Sequence, residues 1–323
     1  MREFGFELHL CAFLERERDA VLARQLGGGV HSSRRVLDVV CVEPGPNFAD
    51  RTAITAERIP DLAIESDIGP GRARYYRDGF DCRPDRARHV VDWATDIGFF
   101  ERERRSGRDY VRQTCRYPDD WFGRVLAIEN KPDLGAPGDL ETQLRKDVRL
   151  GLVDEVVLAT ASHVTGAHLN RIPEEVGVWR FDPETLSREV IREPMALPVA
   201  DPGVEIIDEH AGWTEVRIAD TDQKSRARRR LAERAYGKGW RSYDFPGCAE
   251  VEDTAVAGGG GVPYCDWKGR VVDPGNECGP DCPGFEEADP PVVDGEAERD
   301  RRTPWVADPE GQARRQSGLD RFT

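Results

Sequence analysis

Apolar residues Phe4, Leu8, Cys11, Leu14 and Val21–Leu22 recur at helical steps, which predicts an amphipathic helix over 4–26. The stretch "LGGGVHSS" breaks it. The next apolar run, "RRVLDVVCVEPG" (34–45), is short and closed by Pro and Gly, so it reads as a buried strand with Asp38 lodged inside. A second such run ends at "ENK" (125–131). "GDLETQLRKDVRLGLV" returns to helical spacing, with Asp139 suited to its N-cap. "DEVVLATAS" and "GVWRFD" (177–182) read as two further strands. Strand, strand, helix, strand, strand behind an opening helix predicts an α/β domain over 1–200.

Between Asp38 and Glu129 lie 90 residues, too many for a loop. Inside them, 86–113 reads as a helix, a tight hairpin with its tip at "RRSGRDY", and a returning strand. An insertion over 46–120 resembling a winged-helix unit is the expectation. Past residue 200 the texture changes to a basic helix, a "GGGG" tract (258–261) and four crowded cysteines, so 201–284 is expected to be a separate segment. Residues 285–323 carry few core-forming groups and read as a mobile tail.

Charge alters this picture in two ways. The chain has 33% charged residues and a formal net charge of -15, a surface suited to high salt, where self-repulsion is screened. That balance excludes a nonspecific basic coat but leaves room for a local patch. Lys224, Arg226, Arg228, Arg229 and Arg230 in "KSRARRRLAERAYGKGWR" form one, and arginine forks there are candidates for phosphate contacts. No stretch approaches the ~20 apolar residues of a membrane span. Glu7 interrupts the apolar N-terminus, and no small-residue cleavage site follows, so a cytoplasmic protein without membrane contact is expected. In a reducing compartment the crowding of Cys248, Cys265, Cys278 and Cys282 points to metal before disulfide. Four thiolates are the number tetrahedral Zn²⁺ takes, although no tight Cys-x-x-Cys pair is present. Cys11, Cys41, Cys82 and Cys115 are scattered and read as core thiols.

Lysine is scarce: Lys131, Lys146, Lys224, Lys238 and Lys268. Three of them close an acid-x-Lys triplet: "ENK", "DQK" and "DWK". Only "ENK" ends a strand that follows another strand with its own buried acid, and only "ENK" leads into a helix and then a strand. Asp38 and Glu129 can supply oxygen ligands to a hard divalent ion such as Mg²⁺, with the Asn130 backbone carbonyl as a third. Alternation puts Glu129 and Lys131 on one sheet face. Lys131 is then the cation that orients the attacking water and stabilises charge on a phosphate.

This order of parts resembles the PD-(D/E)xK nuclease superfamily: an opening helix, Asp38 in "RRVLDVV", Glu129–Lys131 in "LAIENK", then helix and strand. The likeness covers residues 1–182 without the insertion, which is longer than usual for the family. Gln143 in "LETQLRKDV" matches the glutamine of RecB-type members, and Glu7 fits the acid of the first helix better than Glu15 does. The resemblance implies a restriction-endonuclease-like mixed central sheet flanked by helices. It also implies a Mg²⁺- or Mn²⁺-dependent nuclease, with Glu7 as a further ligand, DNA as substrate and room for a homodimer. Some RecB-type nucleases ligate a [4Fe–4S] cluster through C-terminal cysteines, with one cysteine before the core. All four lie after it here, so zinc is the first expectation and the cluster the alternative. The competing reading is a catalytically inactive DNA-binding or assembly protein, in which a winged insert and a zinc module do the work. A positive groove beside Asp38 and Glu129 is the geometric expectation of the nuclease reading.

Overall fold

The structure is a computed structural model that describes residues 2–32, 34–54, 58–135 and 138–302. The first helix, α1 (Glu3–Glu17), buries Phe6, Leu10, Phe13 and Leu14. It stops earlier than its apolar pattern predicts, because Arg18 adopts an extended backbone. The run Ala20–Ala23 is buried on every side chain, as a strand covered on both faces is, and Val21–Gly27 forms β1. Strand β2 (Val36–Pro44) pairs with β1 antiparallel, from Val21↔Val42 to Gly27↔Val36.

Residues 44–123 make a compact unit of their own. It holds α2 (Phe48–Thr52), α3 (Asp61–Ile64), β3 (Arg74–Tyr75), a 3-10 turn at Tyr76–Gly79, α4 (Pro84–Asp96), β4 (Phe100–Arg105) and β5 (Arg108–Gln113). The three strands lie in the order β3-β5-β4, with Phe100 and Val111 buried and Val90, Val91 and Ala94 of α4 also inside. Ser106 and Gly107 at the hairpin tip both have positive φ, the conformation a two-residue hairpin loop demands. Its alternating charges pair locally: Arg112 with Glu101 across the strands, Arg102 with Asp92 and Arg105 with Glu103.

The other unit continues with β6 (Phe122–Asn130), α5 (Leu140–Leu150), β7 (Glu155–Thr160), α6 (Gly166–Leu169), β8 (Gly177–Asp182) and β9 (Ser187–Arg192). The central sheet has six strands in the order β1-β2-β6-β7-β8-β9. Its β6/β7 and β7/β8 pairs are parallel and its β1/β2 and β8/β9 pairs antiparallel, so the protein is α/β with a mixed central sheet. Helix α5 sits on a βαβ crossover and ends at Gly151, whose φ of 56° closes it in the left-handed region. Asp139 is at its N-cap, without a side-chain capping bond.

Leu22, Val39, Cys41, Leu126, Ile128, Val157, Ala159, Trp179 and Phe181 form one face of the sheet's core with α1. Alternation therefore puts Arg24 and Asn130 on the α1 side, and Asp38 and Glu129 on the side of α5.

Beyond the sheet lie β10 (Gly203–His210) and β11 (Trp213–Ala219), an antiparallel ribbon, then α7 (Thr221–Lys238). A three-stranded sheet of β12 (Val251–Val256), β13 (Gly259–Cys265) and β14 (Arg270–Val271) follows, with α8 (Pro274–Glu277) and α9 (Gly295–Arg302). The expected mobile tail begins too early. Glu287 bridges to Cys248, and Glu298 on α9 accepts from Gly260 N at 3.2 Å. Arginine and acid side chains tie this segment down where apolar groups are scarce; residues 303–323 lie outside the described residues. Among the described residues no helix is long and apolar enough to cross a membrane.

Candidate functional site

Two buried acids, Glu7 and Glu129, flank the half-buried Asp38 where β2 and β6 run side by side. Glu7 comes from α1, where Phe6 and Leu8 fix the helix against the sheet. Its Oε1 pairs with Arg24 Nε, and its Oε2 accepts from Asn130 Nδ2 at 2.9 Å. Asp38 Oδ2 accepts from the backbone N of the same Asn130 at 2.9 Å. Gln25 Nε2 lies 3.4 and 3.3 Å from the two Glu7 oxygens and 3.4 Å from Asp38 Oδ1. Glu7 and Asp38 therefore share two partners, although their strands and helix approach from different sides of the sheet. Gln25 has a φ of 53°, a left-handed conformation that costs a non-glycine residue about 1–2 kcal/mol. It stands between the paired residues Arg24↔Val39 and Leu26↔Leu37, beside Asp38.

Glu129 Oε2 lies 2.7 Å from Arg35 Nη2, which also reaches Asp147 Oδ2 on α5 at 2.6 Å. Arg35 Nε lies 2.8 Å from Asp147 Oδ1, so the guanidinium grips Asp147 with two nitrogens. Glu129 thus pairs with Arg35 and not with Lys131. Lys131 is half-buried, its backbone N donates to Ala159 O at 2.9 Å, and among the described residues its ammonium has no hydrogen-bond or ion-pair partner.

Burial and mutual repulsion act together on these acids. Burial pushes the Glu129 carboxyl up to about 7, and the charge of Asp38 adds to it against the pull of Arg35. Asp38 is raised by burial, opposed by the Asn130 amide and Arg35. Glu7 is raised by burial, opposed by Arg24 and pushed further by Asp38. Such a cluster holds more negative charge than its own cations neutralise. The Oδ1 of Asn130 is buried beside it with no hydrogen-bond partner among the described residues. The sequence reading assigned Asn130 a role through its backbone carbonyl; its side chain is the part that joins the cluster.

Asp38 also lines an open cleft of about 530 Å³ together with Gln143, Arg35, Asp147, Arg34 and Lys146. Gln143 is thus brought to the same cleft as Asp38. The expected positive groove is not found: the cleft is lined by Arg34, Arg35 and Lys146 against Asp38, Asp139, Asp147, Glu205, Asp208 and Glu209. Acids introduced by β10 account for the reversal, and nothing in the apolar pattern of 1–182 announces them.

Glu15 is the acid the sequence reading set aside. It is buried at the other end of α1, where Arg241 holds both its oxygens at 2.8 Å and Trp240 Nε1 donates at 2.9 Å. The basic helix is corrected more sharply. Lys224 is 1% exposed, and its Nζ donates to Pro198 O and Asp201 O at 3.0 and 2.7 Å. Arg228 binds Leu152 O and Asp154 Oδ2 at 2.8 and 2.7 Å. Arg229 and Arg230 are half-buried and have partners of their own, which leaves Arg226 as the exposed member of the set. The helix packs against β1, so its charges serve the fold.

Cys248 and Cys265 are buried in a small apolar cluster with Val251 and Val272, and Cys278 packs against it beside Phe245 and Phe285. Burial pushes the Cys278 thiol up against the pull of Lys268, and Cys265, Cys248 and Cys282 act in the same direction as burial. Cys11 and Cys41 are buried core thiols as expected, Cys82 is half-buried and Cys115 is exposed. Among the described residues no three His, Cys, Asp or Glu side chains are gathered as a ready-made metal site, at the carboxylates or at the cysteines.

Residues 21–287 match the family described as "Family of unknown function (DUF5787)". The chain belongs to this family. No curated protein and no solved structure matches it. The matched DUF5787 span takes in Asp38, Glu129, Lys131, Gln143 and all four clustered cysteines, and leaves out α1 with Glu7.

Sequence reasoning missed Arg24, Gln25, Arg35 and Asp147. Arg35 stands next to the strand that carries Asp38, but its partners are remote in the chain. Asp147 was legible only as the single acid on the apolar side of α5, between Leu144 and Leu150.

Proposed function

We propose that this DUF5787 protein is a Mg²⁺- or Mn²⁺-dependent nuclease that cleaves phosphodiester bonds in DNA. The observation that carries this reading is that Asp38 shares Gln25 and Asn130 with Glu7 and raises Glu129 by its charge, all three acids being pushed up by burial. The donor chemistry suits a hard divalent cation, with carboxylate oxygens and the Oδ1 of Asn130 that has no hydrogen-bond partner among the described residues, although those residues do not gather three acids as a ready-made site. When bound, such an ion supplies Lewis acidity and an activated water. Lys131, untied by any ion pair, orients that water and offsets charge on the phosphate. Gln143 contributes a hydrogen bond from α5 at the cleft. Gln25 and Arg35 orient Asp38 and Glu129 by their contacts at 3.4 and 2.7 Å. A restriction-endonuclease-like arrangement of the sheet is part of the same proposal.

At the cysteines, four neighbouring thiols in an apolar setting fit Zn²⁺ as a structural ion, with [4Fe–4S] as the alternative. Metal analysis of the purified protein, with and without Cys248→Ser and Cys265→Ser, decides between them: one zinc per chain, or a cluster visible by its absorbance.

The decisive assay offers linear and nicked DNA with Mg²⁺ or Mn²⁺, at high and moderate salt, to wild type, Lys131→Ala and Asp38→Ala. Loss of cleavage by at least ~100-fold in both variants, with binding retained, is the expected result. Equal activity in all three proteins removes the reading. One observation favours a non-catalytic DNA-binding protein instead: Arg35 already engages Glu129 and Asp147. Binding without cleavage by the wild type under every metal would establish that alternative.

A further inference from the structure

Strand β10 lays its acids on the donors of the cleft. Glu205 is 5% exposed, and its carboxylate accepts from three successive parts of the glycine-rich loop: Val30 N at 3.1 Å, His31 N at 2.7 Å and Ser32 N at 3.0 Å. Three backbone N–H groups on one anion form a nest of the kind that binds phosphate oxygens. Gly29 belongs to this nest, because a Cβ there would stand 2.0 Å from Ser32 O and 2.6 Å from Glu205 Oε1. Just past a register shift, Asp208 Oδ2 lies 3.1 Å from Arg34 Nη1. Glu209 Oε2 lies 3.1 Å from Lys146 Nζ on α5. Glu205, Arg34, Asp208, Lys146 and Glu209 all line the cleft that holds Asp38 and Gln143.

Every basic side chain of the cleft is thus matched by an acid. Arg35 is held by Asp147 and Glu129, which belong to the carboxylate site; among the described residues Arg34 and Lys146 form ion pairs only with acids of β10. The three contacts differ in strength. Glu205 is buried and receives backbone donors, so it anchors the strand. The Arg34–Asp208 pair is 71% and 45% exposed and the Lys146–Glu209 pair 29% and 46%, which water and salt screen and a competing anion can displace.

We propose that Arg34 and Lys146 are the phosphate-contacting residues of the cleft, and that Asp208 and Glu209 of β10 occupy them as a built-in mimic of the DNA backbone, which the substrate must displace. This rests on the nuclease reading of the same site. Its chemistry requires no new group: one carboxylate leaves each cation as one phosphate arrives. The mimic keeps an acidic cleft closed to weakly bound anions and admits a polyanion that engages both cations at once.

The test measures binding and cleavage separately, on the full chain. Fluorescein-labelled duplex and single-stranded DNA are titrated by anisotropy in Ca²⁺, over a range of KCl, against wild type, Asp208→Asn/Glu209→Gln and Arg34→Ala/Lys146→Ala. These side chains are at least partly exposed, and circular dichroism checks that each variant is folded. Neutralising the two acids is expected to tighten binding roughly 5- to 10-fold. Removing the two cations is expected to weaken it roughly 10-fold and to lower the salt slope by about 2. Unchanged affinity in the Asp208→Asn/Glu209→Gln protein overturns the proposal, as does an unchanged salt slope without Arg34 and Lys146. If wild type still cleaves and Lys131→Ala does not, the nuclease reading survives that failure. Wild type that neither binds nor cleaves DNA removes both.

Discussion

Helix α1 buries an acid at each end, and the two ends differ in kind. Glu15 is enclosed by a bidentate Arg241 and the indole of Trp240, so its charge is answered in full by its neighbours. Glu7 has Arg24 and Asn130, yet it also faces the charge of Asp38 and is pushed upward. Both are buried to within a percent of each other, so burial does not mark a functional acid. What separates them is whether further acids crowd the same space. A charge answered by its own cation stabilises a fold; a cluster with surplus charge is one that needs something added.

The largest expected effect falls on the satisfied end. Glu15→Ala leaves the Arg241 guanidinium buried without its carboxylate, and about 3–5 kcal/mol of folding stability is expected to go. For a chain of this size that is roughly a 10 °C fall in Tm by thermal melt. Asp38→Asn should do the reverse in the metal-free protein: stability unchanged or up by about 1 kcal/mol, with cleavage abolished. A large loss of stability from Asp38→Asn would place it with Glu15 and erase the contrast.

A second effect follows from Glu129, held near 7 in the folded protein against an ordinary 4.5. Below about pH 4.5 it is protonated in both folded and unfolded chains. As pH rises from there through about 7, the unfolded chain releases the proton first, so the metal-free fold loses stability across that window. Mg²⁺ reverses this, since it binds the ionised carboxylates. Saturating Mg²⁺ is expected to raise Tm by roughly 5–10 °C at about pH 8 and by less than half of that at about pH 6. The pH profile of kcat/KM should rise through about 7 in parallel. A Mg²⁺ shift that is equal at both pH values, or that persists in Asp38→Asn, would detach the ion from this site.

The smallest expected effect on stability is Lys131→Ala. A half-buried lysine without an ion pair should cost under about 0.5 kcal/mol in a urea titration, while cleavage disappears. A loss of several kcal/mol would make Lys131 a structural group like Lys224.

Much of the sheet was legible. The strands around Asp38 and Glu129 and the helix between β6 and β7 follow from short apolar runs and helical spacing, since each is a local pattern. Strand β1 was absorbed into the first helix, because Val21–Leu22 extends the apolar rhythm of α1 and a continuous run such as Ala20–Ala23 has no period that tells strand from helix. Of the residues singled out for the site, Asp38 and Gln143 line one cleft, and Glu7 shares Gln25 and Asn130 with Asp38. The basic helix misled for a physical reason: Lys224 and Arg228 satisfy carbonyls at Pro198, Asp201 and Leu152, partners that composition does not reveal.

By itself the sequence determined which residues sit on strands and helices, and which acids lie inside them, because backbone periodicity and burial are encoded within a few residues. Only the tertiary structure decided which of those acids are answered and which are left in excess. Arg35, Arg241 and the amides of residues 30–32 reach their carboxylates across 94, 226 and up to 175 residues of chain. Electrostatic energy depends on distance in space, and that distance is set when the sheet, α1 and β10 pack together.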